Sequence, residues 1–230
     1  MLTFEDAVIA LGDFTLKADF SLQPGCKYAV IGPSGAGKST LLNALSGFVP
    51  LSAGRLVWEG RDITDAAPGA RPMTMLFQDN NLFPHLSVRQ NVGLGIRPGL
   101  RLDAKDRARV AEALARVGLS GFADARPGNL SGGQQSRVAL ARVLVQARPL
   151  LLLDEPFAAL GPALRREMLD LVQTLVAETG AALVMVTHAP EDVRRIADEV
   201  IFVEGGRAAA PRPAAALMDN PPPELKAYLG

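Results

Sequence analysis

Apolar and polar residues alternate in the N-terminal part of the chain, over Leu2–Ile9 and Phe14–Leu22. This period of two predicts antiparallel strands, and Gly12–Asp13 separates them as a turn. Further strands are expected at shorter apolar runs: Tyr28–Ile31, Arg55–Trp58, Met73–Phe77, Leu150–Asp154, Ala182–Thr187, Val200–Val203 and Arg207–Ala209. Helical spacing and helix-start residues predict helices at Lys38–Ser46, Arg101–Val117, Gln135–Gln146, Pro162–Thr179 and Glu191–Ala197.

The alternation of strands and helices is interrupted at about residues 80–135, where strand patterns are absent. Apolar residues with helical spacing indicate that this stretch is a helical insertion. We therefore expect a single α/β domain over residues 1–230, with an N-terminal antiparallel β subdomain, a parallel-sheet core and the helical insertion. The proline- and alanine-rich tail, Pro211–Gly230, is too short for another domain.

Charge and cysteine content narrow the possible functions. The chain has 24 basic and 24 acidic residues, so its net charge of zero offers no electrostatic footprint for bulk nucleic-acid binding. Its one cysteine, Cys26, cannot form a disulfide within the chain, which suits a reducing compartment. We see no signal peptide and no apolar run near the ~20 residues of a spanning helix. We therefore expect a soluble protein, for which any membrane role must come through a partner.

A glycine-rich segment follows the strand Tyr28–Ile31 and opens a helix: Gly32-Pro33-Ser34-Gly35-Ala36-Gly37-Lys38-Ser39-Thr40. It matches the Walker A pattern, and the strand and helix on either side disfavour a chance glycine-rich turn. The glycines let backbone N–H groups point at phosphate oxygens, and the helix adds its positive N-terminus. Lys38 can reach the β- and γ-phosphates of ATP, and the Ser39 hydroxyl can ligate Mg²⁺.

Polar residues follow three of the predicted buried strands. Asp154 and Glu155 come after four leucines, at the strand end where ligands bind in parallel sheets. We expect Asp154 to hold Mg²⁺ through water and Glu155 to polarise the attacking water; solvated acids are the alternative. His188 ends the run Ala182–Thr187 and is predicted to reach a γ-phosphate, against a purely structural role. Gln78 follows Met73–Phe77 and could contact Mg²⁺ or water.

The segment Leu130-Ser131-Gly132-Gly133-Gln134 is a second candidate for phosphate binding. Ser131 is a good N-cap, and the helix after it offers a positive N-terminus and glycine N–H groups to an anion. The chain therefore has two separate helix ends suited to phosphate. One of them belongs to the Walker A loop, and the other follows the helical insertion.

This ordered set of motifs resembles the ATPase subunits of ABC transporters over nearly the whole chain. The resemblance implies a P-loop NTPase fold of the ABC cassette type, with ATP and Mg²⁺ as cofactors. It also implies a head-to-tail homodimer in which Ser131, Gly132, Gly133 and Gln134 contact the ATP held by the partner's Walker A loop. Two chains would then share two ATP sites.

A finer similarity, to the ATPase subunits of bacterial thiamine importers, lies in Met75–Phe83 and Asn91–Leu100. It implies work at the cytoplasmic face of the cell membrane with an integral permease and, indirectly, a periplasmic binding protein. The ATPase of another small-solute importer is the alternative. Nucleic-acid-acting ABC ATPases, P-loop kinases or GTPases, and exporters fit less well. We expect exposed apolar residues within Asn80–Leu100, among them Leu82, Phe83 and Leu86, to receive a permease helix.

Two positions depart from the family pattern. An aromatic residue that stacks on adenine is usual near the first strand, but the segment here reads Ala10-Leu11-Gly12-Asp13-Phe14, which leaves Leu11 or Phe14 for the base. The segment after Glu155 usually ends in leucine and aspartate, whereas Leu160 is followed here by Gly161. Because Pro162 suits the first position of a helix, we expect Gly161 to be its N-cap.

Overall fold

A computed structural model of the chain describes residues 1–223 and 225–226. Within these residues, eleven strands form one sheet, and ten of them follow the order β5-β4-β1-β2-β10-β9-β3-β8-β7-β6, with β11 paired to β9. The strands are β1 Leu2–Leu11, β2 Phe14–Leu22, β3 Lys27–Ile31, β4 Ala53–Trp58, β5 Arg61–Asp62, β6 Met73–Leu76, β7 Leu150–Asp154, β8 Ala182–Val186, β9 Glu199–Glu204, β10 Arg207–Ala208 and β11 Arg212–Pro213. All the predicted strands are confirmed, with small changes at their ends.

The sheet has an antiparallel part and a parallel part. β1 pairs antiparallel with β2 and β4, whereas β9, β3, β8, β7 and β6 run parallel to one another in that order. β10 joins the two parts, since it pairs with both β2 and β9. All five parallel strands therefore end at one edge, which is where such sheets bind ligands.

Seven α-helices accompany the sheet in the described residues: α1 Lys38–Ser46, α2 Val88–Gly93, α3 Ala104–Arg116, α4 Gly132–Leu144, α5 Pro162–Thr179, α6 Pro190–Ile196 and α7 Ala214–Asp219. None of them is long and apolar enough to cross a membrane. Between β6 and β7 the described chain holds only helices and loops. Val92 from α2, Leu114 from α3 and Val138 from α4 share a separate apolar cluster there.

The start of α4 was predicted wrongly, and the tail holds elements that were not predicted. α4 begins at Gly132 rather than Gln135, because Ser131 and Gln134 cap each other reciprocally and so extend the helix over two glycines of low helix propensity. No element was assigned to the tail from the sequence, and it forms β11 and α7. Leu217 and Met218 of α7 are buried with Val200 of β9, and this burial stabilises the short helix. Residues 224 and 227–230 of the tail lie outside the described residues.

Buried arginine contacts hold α1, which carries part of the Walker A segment. Arg71 is 3% exposed. Its guanidinium donates to the carbonyls of Ala44 and Leu45 at the C-terminal end of α1, and also to those of Thr64 and Ala66. A cation at this end of a helix satisfies carbonyls that lack partners within the helix. Arg71 thereby fixes α1 beneath the glycine-rich loop.

Candidate functional site

The predicted site residues lie where the parallel strands end. Asp154 is the last residue of β7 and is paired with Val186 of β8, which is also paired with Val30 of β3. The Glu155 N–H donates to the Val186 carbonyl at 3.2 Å, which extends the contact between strands past the end of β7. Walker A, Asp154, Glu155 and His188 therefore follow three neighbouring strands. Gln78 comes two residues after β6, on the far side of β7, and its side chain is exposed.

Walker A residues 32–37 form the loop between β3 and α1, and their backbone is closely packed. Gly37 has φ of +103°, and a Cβ at this position would lie 2.6 Å from Cζ of Phe14. Only glycine can therefore adopt this conformation without moving the aromatic ring. The Lys38 ammonium donates to the carbonyls of Gly32 and Pro33, at 2.9 Å each. Lys38 is thus folded onto its own loop, with its charge at the N-terminus of α1.

Burial lowers the pKa of Lys38, and the carboxylates of Glu155 and Asp154 oppose this shift. A buried ammonium is stabilised most by an anionic acceptor, because charge-assisted hydrogen bonds are about twice as strong as neutral ones. The loop carbonyls that now accept from Lys38 are neutral. A phosphate oxygen would be the stronger acceptor for this group.

Ser39 and Asp154 converge to form a second part of the site. The Ser39 hydroxyl donates to Oδ1 of Asp154 at 3.1 Å. Burial raises the pKa of Asp154, which the Ser39 hydrogen bond opposes and the nearby Glu155 charge reinforces. A buried carboxylate beside a hydroxyl is a pair of hard oxygen ligands, and a cation would compensate its charge. This donor set fits Mg²⁺, which binds to one or two protein oxygens plus phosphates.

Glu155 and His188 contact each other across the ends of β7 and β8. Nε2 of His188 lies 2.6 Å from Oε1 of Glu155. Glu155 has φ of +46°, a left-handed conformation that costs about 1–2 kcal/mol for a residue other than glycine. Such strain is concentrated at functional sites, where the surrounding structure holds it. The contact pairs a carboxylate with an imidazole at the edge where Lys38 lies.

Sequence reasoning missed a polar network behind this pair. Arg165 of α5 donates to Oδ2 of Asp192 and to the hydroxyl of Thr187, and Thr187 donates to the same carboxylate oxygen at 2.7 Å. The three side chains line a cavity of about 240 Å³ together with Glu155 and His188. The network joins the start of α5 to the residue before His188. In the sequence, Arg165 and Asp192 are only charged residues near the start of a helix, which is not specific enough to identify the network.

The segment Ser131–Gln134 lies elsewhere. The Ser131 hydroxyl accepts from the Gln134 N–H, and the Gln134 side chain accepts from the Ser131 N–H at 2.9 Å. Gly132 is exposed, while a Cβ on Gly133 would lie 2.5 Å from Leu164 of α5. Among the described residues, no hydrogen bond or ion pair joins this segment to residues 32–40. Each chain therefore presents two helix N-termini that it does not itself bring into contact.

The structure separates the two candidates for contact with adenine. The Phe14 ring packs on Gly37 and joins the main core cluster, so it supports the glycine-rich loop. Leu11 is 46% exposed and lies directly opposite Phe14 in the β1–β2 hairpin. Side chains opposite each other in an antiparallel pair project from the same face. Leu11 is therefore the exposed apolar residue next to the loop.

Comparisons with known proteins agree with this geometry. The ABC transporter family matches residues 16–158. The thiamine import ATP-binding protein ThiQ of Cereibacter sphaeroides is 61% identical to this chain over 230 residues, and the alignment covers 100% of both proteins. ThiQ of Brucella suis biovar 1 is 48% identical over 230 residues, which are all of this chain and 95% of that protein.

Solved structures of similar fold were also found. The ADP conformation of MJ1267, an ATP-binding cassette of an ABC transporter, matches with a TM-score of 0.89 at 26% identity. The match covers 100% of this chain and 98% of the MJ1267 chain. CbiO1 from Clostridium perfringens, part of the cbiONQ ABC transporter complex, has a TM-score of 0.85 at 31% identity over 97% of this chain and 92% of its own. The chain belongs to the ABC transporter family and is one of its ATP-binding subunits.

Proposed function

We propose that this chain is the ATP-hydrolysing subunit of a thiamine importer and that it acts as a homodimer with two shared ATP sites. One observation carries the proposal: Lys38, the Ser39–Asp154 pair and the Glu155–His188 pair meet at one edge of the parallel sheet. This arrangement combines a phosphate-binding cation, a site for a metal and a base in one place.

Each group has a distinct task in hydrolysis. Backbone N–H groups of the Walker A segment and the Lys38 ammonium bind the β- and γ-phosphates. Glu155 accepts a proton from the attacking water, and His188 orients this carboxylate and lies within reach of the γ-phosphate. The Thr187–Asp192–Arg165 network holds His188 in place from behind.

Ser39 and Asp154 would hold Mg²⁺, with Gln78 as a further oxygen ligand. When bound, the ion neutralises charge on the transferred phosphoryl group. Asp154 must be ionised for this role, and a bound cation would favour its ionised form against the burial that raises its pKa. Gln78 is exposed at the end of the neighbouring strand, where it can move toward the nucleotide.

The position of Ser131–Gln134 supports the dimer. This segment is a capped helix N-terminus with an exposed glycine, suited to an anion. Since it does not contact the Walker A segment of its own chain, the ATP it binds is that of a second copy. Head-to-tail packing then completes two identical sites, each with Lys38 from one chain and Ser131 from the other.

A permease-binding surface is proposed around Phe83, which is 46% exposed. The buried side chain of Asn91 holds its loop rigidly. Asn91 accepts from the Phe83 N–H at 2.8 Å and donates to the carbonyls of Phe83, Leu86 and Ser87. An exposed aromatic side chain on a fixed loop suits an amphipathic helix from a membrane partner.

Thiamine as cargo is supported by the names of the relatives that match the chain over its full length. The test is to purify the chain with the permease encoded beside it, in lipid, and to measure ATP hydrolysis. Binding protein loaded with thiamine should stimulate hydrolysis about tenfold or more over the unloaded protein. Stimulation by a different loaded solute, and none by thiamine, would contradict the cargo assignment while leaving the ATPase assignment intact.

A further inference from the structure

The residues just after Gln78 are held in an unfavourable conformation. Asn80 and Asn81 have φ of +54° and +46°. Asparagine adopts left-handed geometry more readily than most residues, but it does so singly rather than in succession. In addition, Oδ1 of Asn80 is buried without a hydrogen-bond partner among the described residues. A buried acceptor left unpaired costs about 1–3 kcal/mol. This segment therefore depends on its surroundings for its shape.

Arg142 of α4 supplies that support. Its guanidinium donates to the carbonyl of Asn81 at 2.7 Å and to that of Asn80 at 2.5 Å. Six residues before Arg142 on the same helix, the Ser136 hydroxyl accepts a hydrogen bond from the Asn80 side-chain amide at 3.3 Å. Burial lowers the pKa of Arg142. The two carbonyls accept hydrogen bonds from this desolvated cation.

The same helix begins at Ser131. α4 is a continuous helix of 13 residues whose N-cap is Ser131 and whose last turn carries Arg142. Both the segment after Gln78 and the signature segment Ser131–Gln134 are therefore attached to one rigid element. Ser131 lies at the start of that element, Ser136 in its first half and Arg142 in its last turn.

We propose that Arg142 is a positioning residue, which acts through Asn80 and Asn81 to hold Gln78 in a fixed relation to α4. The inference rests on the proposed function, since it assigns Gln78 to the nucleotide and Ser131–Gln134 to the partner's ATP.

Arg142→Met tests the proposal, because methionine keeps an unbranched side chain and removes every donor. We expect kcat for ATP hydrolysis to fall about tenfold, which corresponds to about 1.4 kcal/mol. The half-saturating Mg²⁺ concentration should rise several-fold, and KM for ATP should stay within about twofold of the parent's value. Arg109→Met is the matched control. Arg109 donates to the Val145 carbonyl just past the end of α4, at 2.8 Å, and makes no contact with the Gln78 loop. This control should leave all three values unchanged.

A double-mutant cycle separates positioning from general loss of structure. If Arg142 acts through Gln78, Gln78→Ala and the double variant Gln78→Ala/Arg142→Met should have the same kcat and Mg²⁺ requirement. Additive losses would overturn the proposal. Partial recovery in Arg142→Lys, which keeps a charged donor, would support it further.

Hydrogen exchange of the nucleotide-free chain gives a readout that does not depend on hydrolysis. The amides of Asn80 and Asn81 donate within the turn, to Phe77 and Asp79. Arg142→Met should speed their exchange about tenfold or more, whereas Arg109→Met should not. Equal exchange in the parent and Arg142→Met would overturn the proposal, even if hydrolysis changed. If the parent hydrolyses no ATP, the proposed function fails, and the exchange rates alone decide whether Arg142 holds this segment.

Discussion

Substitution of Gly161 by aspartate should strengthen the ATP-bound dimer with little effect on the fold. Gly161 is the N-cap of α5 with φ of −64° and ψ of 158°, a region open to any residue, and a Cβ there would meet no atom within 4 Å. The glycine provides no side-chain cap. The resemblance to the family implies an aspartate at this position that reaches across the dimer, so the variant would supply the carboxylate that Gly161 lacks.

The expected change in the stability of the fold is much smaller than the expected change in dimer affinity. Aspartate caps a helix better than glycine by a few tenths of a kcal/mol. For 230 residues the entropy of unfolding is about 0.5 kcal/mol/K, so Tm should rise by about 1 °C or less. A charge-assisted hydrogen bond across the dimer contributes about 1.5 kcal/mol. The symmetric dimer would make two of them, which would tighten it about a hundredfold. Gly161→Asn is the matched control, because it caps equally well without the charge.

Sedimentation of the parent, Gly161→Asp and Gly161→Asn, each carrying Glu155→Gln to prevent turnover, gives dimer affinity with ATP. Hydrolysis titrations without that substitution give the Hill coefficient. We expect Gly161→Asp alone to tighten the dimer and to raise the Hill coefficient. Equal dimer affinity and cooperativity in all three would show that position 161 is only a helix cap.

Three further predictions concern single groups. Lys38→Ala should abolish tight binding of Mg-ATP without unfolding the chain, because it removes the hydrogen bond from the lysine ammonium to phosphate. Unchanged ATP affinity by calorimetry would refute the Walker A assignment. Asp154→Asn should raise the Tm of the nucleotide-free chain at pH 7. The pKa of Asp154 is raised in the folded parent, so the folded chain binds a proton at this carboxylate more tightly than the unfolded chain does. The parent therefore gains stability as pH falls, and the difference in Tm between the variant and the parent should shrink toward about pH 4. A higher Tm for the parent at pH 7 would reverse that reasoning. Phe83→Asp should uncouple transport from hydrolysis while ATP binding stays intact. Phe122→Asp, which changes another exposed phenylalanine (38%), should leave transport coupled. Normal transport in Phe83→Asp would place the permease contact elsewhere.

Local signals explain what the sequence could predict. The helices Lys38–Ser46 and Pro162–Thr179 were predicted with the same boundaries that the structure shows, because glycine and proline mark their ends. The candidate site residues Asp154, Glu155 and His188 were found because each directly follows a short apolar run. Parallel strands bring such ends together without any further information from the sequence.

Contacts between distant residues account for what the sequence did not reveal. Arg142 is one charged residue within the apolar stretch Val138–Val145, and nothing local shows that its partners lie about 60 residues earlier. Asp192 and Arg165 are 27 residues apart and meet only when α5 and α6 pack. The start of α4 was placed three residues late, although Ser131 was identified as a good N-cap, because the reciprocal cap from Gln134 was not recognised. Helix α7 forms only because β9 offers it an apolar surface.

Shared ATP sites are tested most directly by sedimentation of Glu155→Gln with ATP, with a count of the bound nucleotide. A dimer that holds two ATP molecules is predicted, because the amide at position 155 binds but does not activate water. Adding Ser131→Asp should restore the monomer, since aspartate caps α4 as well as serine does but repels the partner's phosphates. A Glu155→Gln chain that stays monomeric with ATP bound, or a dimer unaffected by Ser131→Asp, would contradict the account.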